Sequence, residues 1–225
     1  MAIGVDGCHH GWVAVRLDRD GYFDTAAADA SLARLLPRLG SRDTVGIDMP
    51  IHLMDAGRRE SDLAARDFLG GIRGRSVFAA PPAFTLEPSW QGKTHHEVNL
   101  EMRRRYGIGL SRQTFALCPK ILQINALLGN GLDIHEVHPE VSFAEMNEGK
   151  PMQFSKKSWG GQEERLSLLA LAGIRIPKKL PKEVAAVPPD DIIDACVAAW
   201  SARRIAHGQA HRFPGTESEP ATIWA

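Results

Sequence analysis

The stretch AIGVDGCHHGWVAVRLDRDGYFDTAAA, residues 2–28, decides the fold class. It contains apolar segments that alternate with short turns, at residues 2–6, 11–18 and 21–28. Gly7 closes the first segment, and Asp20-Gly21 between the other two is typical of a tight hairpin turn. Strands joined by such short connections pair in an antiparallel way. The stretch therefore predicts a three-stranded antiparallel meander.

Further along the chain, strands alternate with helices. Residues 30–39 have helical periodicity, which Pro37 ends or bends, and TVGID (44–48) is typical of a buried strand. Because a helix precedes it, this strand is expected to run parallel to the first one. A further strand is predicted at 132–138 and helices at 57–70, 113–128, 142–149, 160–173 and 190–208. This order predicts an α/β fold: a mixed sheet with helices on both faces.

The bulk composition limits the classes of protein. With 225 residues, the chain is expected to form one domain, 1–225, in which the irregular segment 79–112 is a lid or insertion. Lys+Arg and Asp+Glu both number 27, which argues against non-specific coating of nucleic acid but leaves room for a local basic pocket. Three scattered cysteines do not form a disulfide framework, and no signal peptide or membrane span is recognisable. We expect a cytoplasmic protein without a membrane partner.

Acidic residues follow the ends of the predicted parallel strands and open the last helix. Because such strand ends meet at one edge of a sheet, the carboxylates are expected to converge there. Converging carboxylates raise each other's pKa unless a cation lies between them, and Mg²⁺ and Mn²⁺ prefer such oxygen ligands. The predicted metal ligands are Asp6, Asp48, Glu136, Glu140, Asp191 and Asp194. Asp6, on a central strand, is the expected bridging ligand.

Each acid also has an ordinary local explanation. Asp6 could belong to a turn with Gly7, and Asp48 could form an Asx-turn before Pro50. Asp190 or Asp191 could cap the last helix, which leaves Asp194 as the firmer ligand candidate. Only the joint placement of the acids points to a metal.

Basic side chains suited to phosphate accompany the acids. Arg and Lys can hold phosphate oxygens, and the candidate substrate-binding residues are Arg66, Arg75, Lys120, His138 and Lys156. For the arginines, solvated helix faces or ion pairs with neighbouring acids are an equal alternative. His138 lies among the acids and could carry a proton or hydrogen-bond to Glu136.

Nine short motifs together resemble one known family. They are GVDGC..GW (4–12), GIDMPI (46–51), SVFAAP (76–81), GLSRQ (109–113), PKI (119–121), EVHPEVSF (136–143), SKKS (155–158), DDIIDA (190–195) and IW (223–224). The chain resembles the domain-of-unknown-function family 429 (DUF429), described as predicted ribonuclease H-like nucleases. The resemblance implies a ribonuclease H-like fold, and it implies a site formed by the acids of GVDG, GIDMP, EVHPE and DDxxDA.

We therefore expect a divalent-metal-dependent phosphodiester hydrolase that uses carboxylate-bound Mg²⁺ or Mn²⁺ to activate water on a nucleic acid or small phosphoester. The expected catalytic residues are Asp6, Asp48, Glu136, Asp194 and Lys120. Two alternatives stay open. One is an actin-like phosphotransferase or hydrolase of a nucleotide or small phosphoester, and the other is a non-catalytic binding protein.

Overall fold

The structure, a computed structural model, describes residues 1–40, 43–56, 58–71, 73–214 and 221–225. The strands are β1 Ala2–Cys8, β2 Gly11–Leu17, β3 Phe23–Asp29, β4 Thr44–Ile47, β5 Ile134–Glu136, β6 Arg212–Phe213 and β7 Ile223–Trp224. The helices are α1 Leu32–Leu35, α2 Glu60–Leu69, α3 His95–Tyr106, α4 Arg112–Asn125, α5 Pro139–Met146, α6 Trp159–Leu171, α7 Lys182–Ala185 and α8 Pro189–Ala206. Short 3₁₀ turns cover Leu36–Arg38, Arg73–Ser76 and Ala83–Leu86.

Within the described residues, five strands form one mixed sheet in the order β3-β2-β1-β4-β5. The first three are antiparallel neighbours, with Ala2 opposite Leu17 in the first pair. β4 runs parallel to β1, and β5 runs parallel to β4. The predicted α/β fold with a mixed sheet is confirmed, and it is consistent with a ribonuclease H-like fold. The carboxyl ends of β1, β4 and β5 lie at one edge of the sheet.

Apolar side chains alternate between the two faces of the sheet, and helices cover both. Ile3 and Val5 point to the side packed by α1 and α4, where Ile121 and Ile124 are fully buried. The opposite face, with Val13, packs against α8, α6 and α5. Burial on both faces explains why the central strands are almost continuously apolar. α8 crosses directly behind β1, which is what brings its acids to the same edge.

Gly4 permits this close approach of α8. A Cβ atom added at Gly4 would lie 2.0 Å from the backbone nitrogen of Ala199 and 2.1 Å from the carbonyl oxygen of Ala195. Both contacts are with helix backbone, so no side-chain rotation can relieve them. The helix would have to move away from the sheet, taking Asp194 with it.

We expect Gly4→Ala to lower the free energy of unfolding by about 3 kcal/mol, the cost of overpacking a core, and the melting temperature by about 6–10 °C. Gly160→Ala is the matched control, because its Cβ would meet only the Phe154 ring, at 3.4 Å. Thermal denaturation followed by circular dichroism measures both variants. Equal melting temperatures would contradict the close packing.

The element boundaries differ from the predictions where prolines and caps decide them. β5 ends at Glu136 and α5 begins at Pro139, because proline suits the first turn of a helix. The start of the predicted helix 57–70, at Gly57, lies outside the described residues; α2 begins at Glu60. The strand pair β6–β7 was not predicted, since two-residue strands carry no periodicity.

The segment predicted as a lid, 79–112, contains its own ordered elements. Helix α3 begins with a capping box, in which Thr94 and Glu97 satisfy each other's backbone N–H groups. A small apolar cluster lies beneath it, formed by Phe84, Val98, Met102 and Leu110. A role as a lid stays a prediction.

Within the described residues, no helix is both long and apolar enough to cross a membrane.

Candidate metal centre

Three carboxylates from distant parts of the chain meet at the edge of the sheet. Asp6 is on β1, Asp48 directly follows β4, and Asp194 is in the second turn of α8. Each offers one oxygen, and these oxygens all lie within 4.8 Å of one another. Asp6 and Asp194 are buried, and Asp48 is partly buried. These three acids, which the sequence predicted to converge, do lie close together in the structure.

The backbone fixes each acid. The amide of Asp48 donates to the carbonyl of Val5 at 2.9 Å, so the parallel pairing of β1 and β4 continues to the residue that carries the carboxylate. The Asp6 carboxylate accepts a hydrogen bond from the Gly7 amide at 2.6 Å. α8 is held against β1 by the packing at Gly4. The three acids therefore lie on hydrogen-bonded and closely packed backbone.

The acids perturb one another strongly. Burial, then the charges of Asp48 and Asp194, raise the pKa of Asp6 well above its usual value. Burial raises the pKa of Asp48 to about 6, against the attraction of Lys156. It also raises the pKa of Asp194 to about 7. Without a cation these acids hold protons more tightly than isolated carboxyl groups do, and a bound cation would favour their charged forms.

Within the described residues, Lys156 supplies the ammonium group that contacts these three acids. Its Nζ contacts Oδ2 of Asp194. Burial alone would lower the pKa of Lys156, but the charges of Asp194 and Asp6 raise it above the usual value. A single positive charge does not balance three carboxylates.

The residues present fit a hard divalent cation. Oδ1 of Asp194 is buried and has no hydrogen-bond partner in the described part of the chain. A buried carboxylate oxygen without a partner is costly unless a ligand satisfies it. The donor set consists of carboxylate oxygens, which Mg²⁺ and Mn²⁺ prefer over softer ligands.

Glu140 and Asp191 flank the three acids. Oε1 of Glu140 is paired with Arg165, whereas its Oε2 is buried and lacks a partner among the described residues. The charge of Glu140 contributes to the raised pKa of Asp48, and so does that of Asp191. These two residues act electrostatically on Asp48, and their role as ligands stays a prediction.

Glu136 is engaged elsewhere. Both of its oxygens accept hydrogen bonds from the Arg59 guanidinium, at 2.7 and 2.8 Å, and the Ile51 amide donates to Oε2 at 2.7 Å. Arg59 also binds Asp62. The described contacts of Glu136 hold the segment after β4 to the end of β5, and the three-acid group does not include it.

The candidate phosphate-binding residues are dispersed. Lys120 donates to the carbonyls of Cys8 and Gly11 and lies 4.5 Å from the centre of the Trp12 ring, so it braces the turn after β1. Burial lowers its pKa. Arg66 and Arg75 line a surface depression at the end of α2, where Nε of Arg66 donates to a backbone carbonyl. Lys156 is the predicted basic residue whose contact with the acids is observed.

His138 lies beside the centre. Its Nε2 is 3.4 Å from the carbonyl oxygen of Ser76, and its Nδ1 is buried without a partner in the described residues. Burial lowers its pKa, and Glu140 and Asp194 oppose this effect. Its predicted role as a proton carrier stays a prediction.

Comparison with known protein families identifies the family to which the chain belongs. A family model described as "Protein of unknown function (DUF429)" matches residues 4–219. The chain belongs to the DUF429 family. Searches of curated proteins and of solved structures found no significant match.

Two buried arginines of this DUF429 protein were not predicted as part of the site region. Arg59 and Arg165 neutralise Glu136 and Glu140, two of the predicted metal ligands. Arg59 is adjacent to Arg58, and Arg165 lies in an amphipathic helix rich in charge. No local pattern distinguishes a buried arginine from a solvated one, so only the tertiary structure reveals their role.

The raised pKa values predict a pH effect on the metal-free DUF429 protein. The native state binds protons more tightly at Asp48 and Asp194 than an unfolded chain with carboxyl pKa values near 3.8. Stability from these groups is therefore present at low pH and lost as the pH rises from about 4 to about 7. In EDTA at about pH 8, Asp48→Asn should melt about 2–6 °C higher than the wild type, a gain of about 1–2 kcal/mol.

At about pH 4 the two proteins should melt alike, because the wild-type carboxyl is then largely protonated. Differential scanning calorimetry at both pH values provides the measurement. A lower melting temperature for Asp48→Asn at the higher pH would show that the charged form of Asp48 does not destabilise the metal-free protein.

Proposed function

We propose that the protein is a divalent-metal-dependent phosphodiester hydrolase in which Asp6, Asp48 and Asp194 hold Mg²⁺ or Mn²⁺. One observation carries the proposal: carboxylate oxygens of three acids lie within 4.8 Å of one another. The buried, unpartnered oxygen of Asp194 supports it, because a cation would satisfy that atom.

When bound, such ions activate water and stabilise the leaving oxygen of a phosphodiester. Asp6 faces both other acids and holds the centre together. Glu140 and Asp191, at its border, add negative charge that strengthens cation binding. With a cation bound by the acids, the long side chain of Lys156 would be able to turn from Asp194 to a non-bridging phosphate oxygen. Lys120 fixes the turn that follows Asp6 and so keeps this carboxylate in position.

Hydrolysis of bis(p-nitrophenyl) phosphate tests the proposal. We expect turnover with Mn²⁺ or Mg²⁺. We expect none with EDTA or in buffer that lacks both ions. Isothermal titration calorimetry should show Mn²⁺ binding under the same conditions. Absence of both turnover and Mn²⁺ binding would favour the non-catalytic alternative.

A cavity that reaches Arg59, the partner of Glu136, favours a second candidate, an enzyme acting on a nucleotide or small phosphoester. It has a volume of about 430 Å³, within the range typical of small-molecule sites. Phe78, Tyr106 and Arg58 are among its lining residues. Phe78 is two residues from Ser76, whose carbonyl contacts His138 beside the acids. Thermal shift with ATP and with oligonucleotides separates the candidates: a shift with ATP alone supports the small substrate.

A further inference from the structure

We propose that Phe154 and Trp159, with Lys156 and Lys157 between them, form a binding surface for single-stranded nucleic acid beside the metal centre. We call this the 154–159 surface. The inference rests on the proposed function, since it names the substrate class of the same site. It adds a function for two aromatic residues that the metal centre does not use.

Both rings are exposed to an unusual degree. Trp159 is 77% exposed and Phe154 is 47% exposed, whereas Trp12 of the same chain is fully buried. Exposing a large aromatic side chain forgoes the stabilisation that burial provides. Exposed apolar groups next to a charged site typically mark an interaction surface.

The segment that carries the rings is held in place. The backbone amides of Gln153 and Phe154 donate to Glu164, at 2.8 and 3.2 Å. Arg73 donates to the carbonyl of Gln153 at 2.9 Å. The Ser158 side chain caps α6 directly before Trp159. A platform held by these bonds binds a ligand with little loss of conformational entropy.

Both rings lie at the start of α6. A Cβ atom at Gly160 would be 3.4 Å from the Phe154 ring, so this ring packs beside the first turn of α6. Trp159 is the residue next to Gly160 in the same turn. The structure therefore places two exposed aromatic side chains at the start of α6.

The lysines connect the rings to the metal centre. Nζ of Lys156 contacts Asp194, and Nζ of Lys157 contacts Asp190 on the same helix. Lys157 is 69% exposed, so its ammonium can also reach a phosphate in solution. One six-residue segment thus carries two aromatic rings and two cations, and its lysines contact acids of α8, one of which, Asp194, would bind the metal.

This combination matches the chemistry of a single strand. Unpaired bases stack on aromatic rings, and lysines follow the phosphates. A duplex keeps its bases stacked inside and offers no free base faces to Trp159. A protein partner would also cover apolar rings, but a single strand additionally supplies phosphates to the exposed Lys157 beside the proposed centre. With only two lysines at the surface, binding should depend weakly on salt, with a slope of about −1 to −1.5.

Fluorescence anisotropy of a short labelled oligothymidylate tests the 154–159 surface. The measurement uses the full chain with Ca²⁺ in place of Mn²⁺ or Mg²⁺, so that the oligonucleotide is bound without being hydrolysed. We expect Trp159→Ala to weaken binding about tenfold and Trp159→Phe to retain most of it, because phenylalanine also stacks. Leu171→Ala is the matched control: Leu171 is 85% exposed at the far end of the same helix, and its removal should change nothing. The corresponding blunt duplex should bind more weakly than the single strand.

Several results would overturn the inference. These are equal binding by the wild type and Trp159→Ala, equal binding of single strand and duplex, or no binding at all. Concentration-dependent self-association that Trp159→Ala abolishes, seen by sedimentation velocity, would assign the surface to a second copy of the chain. Failure of the proposed function is distinguishable, because it would appear as absent Mn²⁺-dependent hydrolysis even if the oligonucleotide binds as expected.

Discussion

Asp6→Asn is expected to reduce Mn²⁺-dependent phosphodiester hydrolysis by about a thousandfold or more, because it removes the charge shared at the centre of the three acids. The substitution is nearly isosteric, and the asparagine oxygen can still accept the Gly7 amide bond that Asp6 accepts at 2.6 Å. The fold should therefore persist. Steady-state kinetics with bis(p-nitrophenyl) phosphate provide the measurement, with circular dichroism as a check of folding.

Asp190→Asn is the matched control for this result. Asp190 is also a buried acid of α8, but it pairs with Lys157 and is not one of the three converging residues. Its replacement should change activity less than about tenfold. If Asp6→Asn and the wild type hydrolyse the substrate equally, Asp6 is not part of the centre.

Arg59→Ala is expected to lower the free energy of unfolding by about 3–5 kcal/mol, because it leaves the buried Glu136 carboxylate without its counter-charge. Arg59 is 3% exposed and Glu136 is 5% exposed. The loss corresponds to a fall of about 6–20 °C in melting temperature. Urea denaturation measures it.

Two comparisons sharpen this second prediction. The double variant Arg59→Met with Glu136→Gln should recover part of the loss, since the charge of Glu136 is removed while that of Asp62, the other partner of Arg59, remains. Arg104→Ala, which breaks an exposed pair with Glu101, should cost less than about 1 kcal/mol. If the double variant is as unstable as Arg59→Ala, the pairing of Arg59 with Glu136 does not explain the stability.

The double variant also separates the two roles considered for Glu136. If Glu136 serves only as the partner of Arg59, the double variant should keep the Mn²⁺-induced rise in melting temperature. If Glu136 is a metal ligand, its replacement by glutamine should remove most of that rise.

The sequence predicted the sheet because its signals are local and strong. Apolar strands joined by Asp20-Gly21 have few other ways to pair, and the acids at their ends then follow from geometry. Asp6, Asp48 and Asp194 could be found in this way. The pairing of Glu136 with Arg59 could not, because it joins residues 77 positions apart through a contact that neither local pattern encodes.

The same limit applies to the exposed rings. An aromatic residue in the first turn of a helix, such as Trp159, usually anchors the core, and only the packing of α6 shows that it does not. The charge balance of the whole chain likewise conceals the local arrangement, in which Lys156 is drawn into an acidic centre. Burial and partner choice are tertiary properties, and they decide which charged residues serve structure and which remain available for chemistry.

Anomalous diffraction from crystals soaked in Mn²⁺ tests the central claim most directly. The account predicts a manganese peak within about 2.0–2.4 Å of carboxylate oxygens from Asp6, Asp48 and Asp194, with Lys156 displaced from Asp194. No peak at these residues at saturating Mn²⁺, with Lys156 still bound to Asp194, would contradict it.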